Sequence, residues 1–67
     1  MEPYNVNLNG RILTIQPLHD GSFKVIDKGH EVGRLFPEPN EGVTVWTSYG
    51  LIEPEEAQKI GALIEEN

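Results

Sequence analysis

The chain opens on strict alternation: Tyr4, Val6 and Leu8 are apolar while Asn5, Asn7 and Asn9 are polar, the period of two that marks a half-buried strand. Asn9-Gly10 interrupts the run, and Arg11-Ile12-Leu13-Thr14-Ile15 resumes an extended pattern. Asn-Gly between two such runs predicts a type I′ hairpin, because both turn residues tolerate positive φ. Closing there sets Leu8 opposite Arg11, Val6 opposite Leu13 and Tyr4 opposite Ile15. The apolar residues of both strands then share a face.

A second link, His19-Asp20-Gly21-Ser22, leads into Phe23-Lys24-Val25-Ile26. A two-residue Asp20-Gly21 turn would send Leu13 and Ile15 away from Phe23 and Val25. A three-residue loop over Asp20–Ser22 keeps all four together, and a one-residue slip inverts every side chain, so the longer loop is expected. A third hairpin at Lys28-Gly29 sets Val25 opposite Val32, with Gly33 as a bulge residue that returns Leu35 to the face of Val32.

Pro37-Glu38-Pro39-Asn40-Glu41-Gly42 reads as a polar loop, since its two prolines cannot donate to a sheet. Val43 to Thr47 then forms a last strand with Val43 and Val45 inward, which Tyr49-Gly50 breaks. Glu53-Pro54-Glu55-Glu56 starts a helix: proline suits the first helical position, and the carboxylates favour the positive end of the dipole. Ile52 and Ala57 are spaced as a hydrophobic staple. Ala57, Ile60 and Ile64, flanked by Gly61 and Leu63, make an apolar stripe at helical spacing. Gly61 costs a helix interior about 1 kcal/mol relative to Ala, and close approach of helix to sheet is the expected return.

The predicted fold is α+β: a five-stranded antiparallel β-meander with one C-terminal amphipathic helix packed on one face, a single domain over residues 1–67. The covered face is expected to carry Tyr4, Val6, Leu8, Leu13, Ile15, Phe23, Val25, Val32, Leu35, Val43 and Val45. The open face is expected to carry Asn5, Asn7, Thr14, Gln16, Lys24 and Thr44, interrupted by Ile12, Ile26 and Trp46. Ile26-Asp27-Lys28-Gly29-His30-Glu31-Val32-Gly33-Arg34-Leu35, then Trp46, then Ile60-Gly61-Ala62-Leu63-Ile64-Glu65, resembles small bacterial proteins built from a strand meander and a terminal helix. Those proteins have no assigned activity. The resemblance implies the architecture and transfers no site.

Size and charge narrow the chemistry. A chain of 67 residues buries only about 60% of the surface its unfolded form exposes. It has no Cys and only two His, so neither a disulfide nor a metal is expected as a staple, and pairing with a second copy is the remaining one. Eleven acids against five dispersed bases leave a charge of −6, which opposes direct nucleic-acid binding. Five of those acids and one base fall between Ser48 and Asn67, leaving −4 there. The first residues lack the cationic and apolar regions of a signal peptide, and no apolar run reaches the roughly 20 residues of a membrane span. A soluble cytoplasmic protein is expected.

Catalytic patterns are thin. His19, Asp20 and Ser22 are explained by a hairpin turn. His30 and Glu31 are adjacent strand residues and point to opposite faces. No metal-ligand spacing and no phosphate-cradling glycine loop occurs. No catalytic residue, metal ligand, cofactor or small-molecule ligand is therefore expected.

The residues left are candidates for contact with a protein partner or a second copy. Glu53, Glu55 and Glu56 form an acidic helix start, with Glu65 and Glu66 at the other end. Trp46 and Tyr49 lie between the last strand and the helix, where aromatics either close the core or, with Ile12 and Ile26, form an apolar spot on the open face. The last strand is also an expected edge, open to strand addition. A non-catalytic binding domain is the leading expectation. A small accessory enzyme using His19, Asp20 and His30, or an acidic mimic of nucleic acid, is the alternative.

Overall fold

The structure, a computed structural model, describes residues 2–66; Met1 and Asn67, which end the N-terminal and acidic C-terminal stretches discussed above, lie outside it. β1 (Tyr4–Leu8), β2 (Arg11–Pro17), β3 (Phe23–Asp27), β4 (His30–Asn40) and β5 (Val43–Gly50) lie in sequence order in one antiparallel sheet, followed by α1 (Pro54–Glu65). The meander with one C-terminal helix is as the alternation predicts.

Three of the four strand connections are two-residue turns with nearly the same backbone. Asn9 and Gly10 have φ of 53° and 88°, Lys28 and Gly29 52° and 83°, and Glu41 and Gly42 51° and 84°. Positive φ at both positions is the type I′ geometry whose twist matches that of the flanking strands. Tyr4, Val6 and Leu8 face Ile15, Leu13 and Arg11, the register predicted from Asn9-Gly10.

The fourth connection differs from the expected one. Its loop has three residues but covers His19–Gly21, closed by the Leu18 N–H donating to the Ser22 carbonyl at 2.9 Å. The last position of such a loop takes a left-handed conformation, which Gly21 supplies at φ 91° and Ser22 would resist. Moving the loop back one residue changes the register by two. Ile15 therefore faces Val25 and Pro17 faces Phe23, and all side chains keep their expected faces. In the next hairpin the extra residue is Val32, because Ile26 faces Glu31 while Val25 faces Gly33, not Val32.

The largest correction is in β4 and β5. Pro37–Asn40 is strand, and the turn is Glu41-Gly42. With a two-residue turn, Asn40 and Val43 form a hydrogen-bonded pair, and alternation leaves Pro39 opposite Thr44 and Pro37 opposite Trp46 at non-hydrogen-bonded sites. The missing proline N–H groups thus remove nothing from the β4–β5 ladder. β5 also runs on through Tyr49-Gly50 instead of breaking there. The resulting parity puts Trp46 on the covered face and turns Val43 and Val45 to the open one, opposite to the expected assignment; Thr44 likewise moves to the side of Trp46.

Helix α1 covers the sheet through Ala57, Ile60, Gly61 and Ile64, which meet Val6, Leu13, Ile15, Val25, Leu35, Trp46 and Ile52 in one core. Burial of each large aliphatic side chain contributes roughly 1.5–3 kcal/mol. The helix touches β5, β4 and also β1, so it joins the two edges of the sheet. Its first turn has Pro54 at the start, and the Glu53 N–H donates to Glu56 Oε1 at 3.4 Å. Ile52 and Ala57 are both buried, as a staple requires.

Gly61 lies directly against the Trp46 indole: a Cβ there would overlap ring atoms Cγ, Cδ1 and Cδ2. Gly33 makes a similar close approach: a Cβ there would overlap the Tyr49 carbonyl oxygen first and then the Ile52 side chain. The expected close contact of helix and sheet is therefore present at Gly61. Its other partners hold the tryptophan from several sides. The Nε1–H donates to Glu65 Oε2 at 2.7 Å, the ring tilts against Phe23 with centroids 5.6 Å apart, and the Gln58 amide donates to the Trp46 carbonyl at 2.6 Å.

Two substitutions separate local propensity from packing. Gly61→Ala, which stabilises an isolated helix by about 1 kcal/mol, should destabilise this protein by about 1–3 kcal/mol in urea unfolding because of the indole collision. Glu41→Asn should stabilise it by roughly 0.5–1 kcal/mol, because Asn tolerates the left-handed conformation that Glu41 adopts at φ 51°.

Candidate functional site

The residues singled out by the sequence divide into three groups once the strands are placed. The His19-Asp20-Ser22 group is a turn device. The Asp20 Oδ1 accepts the Ser22 Oγ–H at 2.5 Å and the Ser22 N–H at 2.9 Å. Ser22 is buried and satisfied by those bonds. The Ser22 hydroxyl, then its N–H, hold the Asp20 carboxyl below its ordinary range. His30 begins β4 at the opposite end of β3, about 17 Å away along five extended residues. His19, Asp20 and His30 are not brought together. Among the described residues no group of three or more acidic, His or Cys side chains is placed to hold a metal.

The acidic helix start is partly committed to the fold. Glu56 accepts from the Glu53 N–H and also pairs with Arg11, whose Nη1 lies 3.4 Å from Glu56 Oε2. Arg11 Nε is 3.2 Å from Asp27 Oδ2, so one guanidinium joins β2, β3 and α1 at the end of the core. Glu53 and Glu55 remain exposed beside Lys59 in a shallow hollow. Glu65 holds the Trp46 indole, which leaves Glu66 as the exposed acid of the last turn without such a bond to that ring.

The third group lies on the open sheet face. Ile12 is there at 51% exposure, and Ile26 is half-buried beside it. Tyr49 is there as well, at 69%. Trp46 is not: it is core, and the open-face role considered for it is excluded by its burial under α1. The parity of β5 instead brings out Val43 and Val45, which alternation alone would turn inward, and further residues outside the expected set. Val43 is 62% exposed, Val45 and Phe36 are half-buried, and Leu51 is 84% exposed just past the strand, where its N–H still bonds to the Val32 carbonyl at 2.8 Å. Val43, Val45 and Tyr49 fall at spacings of two and four residues, so they line one side of β5, and Leu51 follows just past Gly50. The signal that would have found them is the Glu41-Gly42 turn, which fixes the parity.

Between this stripe and the Ile12–Ile26 pair runs a row of charges. Glu31 Oε1 is 3.8 Å from Lys24 Nζ, and Glu31 Oε2 is 3.4 Å from Arg34 Nε. Glu38 accepts the Thr47 hydroxyl at 3.0 Å. Two bases and two acids make the face neutral, so the whole charge of −6 lies elsewhere on the molecule.

The edges of the sheet are treated unequally. On β5 the outward main-chain groups of Trp46 are engaged by the Gln58 amide, which accepts the Trp46 N–H at 3.4 Å and donates to its carbonyl at 2.6 Å. A side chain of α1 thus stands where an added strand would bond. The expectation of an open β5 edge is limited accordingly. Where β4 runs past β3, its outward positions are Pro37 and Pro39, which have no N–H to offer.

No known protein-family model matches the chain, and neither does any curated protein or solved structure.

The Asp20 device has a measurable consequence. NMR titration should place the Asp20 midpoint below the ordinary 3.8, and Ser22→Ala should raise it. A carboxyl with a depressed folded-state pKa contributes stability above its unfolded pKa and loses it as pH falls through the folded one. The wild type should therefore lose this contribution on acidification, and Ser22→Ala should show a smaller acid-dependent change.

Proposed function

We propose that this protein is a non-catalytic interaction domain of the cytoplasm that contacts a protein partner through the open face of its sheet. The observation that carries this reading is the set of exposed apolar side chains along β5 and just past its end, with Val43, Tyr49 and Leu51 all more than half exposed. Exposed apolar groups scattered singly are ordinary, whereas an aligned set on a rigid strand favours a contact surface. Tyr49 supplies the large amphipathic ring that anchors many interfaces at low entropic cost. The neutrality of the face also supports the reading, since a partner meets apolar contacts and paired charges there without the repulsion of the acidic remainder. The chain has no Cys, and no helix among the described residues is long and apolar enough to cross a membrane.

Photo-crosslinking in cells of the source organism tests this. A benzoyl-phenylalanine at Tyr49 should capture one discrete protein, while the same probe at Lys59 on the far side of α1 should not. Leu51→Lys should reduce the Tyr49 product at least about tenfold, as expected for an interface anchor, with thermal unfolding unchanged. Equal capture at both probe positions, or none at Tyr49, would reject the open face as the contact surface.

A further inference from the structure

Among the described residues the sheet has three stretches of free edge, and two are obstructed: Gln58 occupies the outward groups of Trp46 on β5, and prolines stand at the outward positions of distal β4. β1 is different. Its two-residue turn makes Leu8–Arg11, Val6–Leu13 and Tyr4–Ile15 the hydrogen-bonded pairs, so the main-chain N–H and C=O of Asn5 and Asn7 point outward. The side chains of these asparagines do not fold over them. Asn5 Oδ1 accepts the Thr14 hydroxyl at 2.9 Å, toward β2, and Asn7 Oδ1 accepts the Gly10 N–H at 2.7 Å, within the turn. Within β1 no proline or charged residue protects the edge.

Beside this edge a shallow hollow opens between β1 and the last turn of α1, lined by Asn5, Val6, Asn7, Leu63 and Glu66. Its helix end is negative twice over. The last turn has no basic residue to oppose the helix C-terminal carbonyls, and Glu66, which lines the hollow, follows the helix.

We propose that β1 accepts an extended segment of another protein as a sixth strand, one with an apolar side chain set over Leu63 and a basic side chain set toward Glu66. The main-chain groups of Asn5 and Asn7 supply two pairs of bonds, and alternate side chains of the added strand supply selectivity. The charge is what commits the occupant. A second copy of this chain would bring another acidic helix end or an uncharged Tyr4–Leu8 segment, and neither answers Glu66. This site lies on the β1 edge, apart from the open-face contact, and stands or falls separately from it.

A displayed library of random nonapeptides, selected against the full chain, tests the proposal. Enriched sequences should alternate apolar and polar residues and include a Lys or Arg, and the synthetic peptides should slow hydrogen exchange at the Asn5 and Asn7 amides. Asn5→Pro removes an outward donor without touching the β1–β2 ladder and should weaken binding at least tenfold, whereas Asn5→Thr should bind normally. Peptides N-methylated at alternate residues leave the protein untouched and should lose binding equally in one methylation phase only. Glu66→Lys should weaken the basic peptides several-fold. The proposal is overturned if no sequence is enriched, if both methylation phases bind alike, or if the peptides perturb Tyr49 and Leu51 and leave Asn5 and Asn7 unchanged. It is also overturned if light scattering shows that the chain dimerises through β1, with Asn5→Pro restoring the monomer.

Discussion

The contact between Gly61 and the Trp46 indole is the constraint on which the rest of the molecule depends. A helix axis normally stands off a neighbouring element by its side chains, and here one side chain is absent so that a large flat ring fits beneath. The ring is fixed by Phe23 at one side and by Glu65 at its polar tip, and its main chain is gripped by Gln58. Gln58, Gly61 and Glu65 are spaced at three and four residues, one stripe of α1, so a single helical face determines how β5 is oriented and how much of its edge stays open. Glu65 also illustrates a trade. A carboxylate in the last turn is unfavourable to the helix dipole by a few tenths of a kcal/mol, and a charge-assisted bond to a buried indole more than offsets it.

Charge is distributed in keeping with this architecture. Acids gather around the helix ends and outer loops, while Lys24 and Arg34 pair with Glu31 on the open face and, with Glu38 beside them, leave it neutral. Exposed pairs of this sort contribute little to stability. Their significance is local: they keep the sheet face free of net charge in a molecule that is otherwise acidic.

Legibility of the sequence depended on whether a turn residue was unambiguous. Asn9-Gly10 has one reading, and it determines the β1–β2 register and the outward direction of Asn5 and Asn7. Gly21 was visible, but the loop could be placed around it in two ways of equal parity, so the faces were legible and the register was not. Pro37 and Pro39 misled for a physical reason. Proline is excluded from hydrogen-bonded sites of a ladder, yet two prolines spaced by two occupy the other sites without loss. Glu41-Gly42 lacks the Asn or Asp that signals a type I′ turn, so Gly42 was a weak marker of the turn that sets the parity of β5. That one ambiguity exchanged Trp46 with Val43 and Val45, and with it most of the candidate surface. The open-face position of Ile12, Ile26 and Tyr49 was legible, whereas that of Val43 was not, because it is set by register rather than by residue type.

The strand order, each strand beside its sequence neighbours, also governs the path by which the chain organises itself. Every strand pairing closes over two or three residues, and loop closure grows costly only slowly with length, by about 0.6 kcal/mol per doubling. Hairpins of this size form in about 1–10 μs, well before a domain is complete. The seating of α1 on β1 is different in kind, since it brings Leu63 beside Val6 across nearly the whole sequence. That contact offers no reward until the sheet between them exists. The strand order thus keeps every strand pairing local and leaves the docking of α1 on β1 as the long-range closure of the fold.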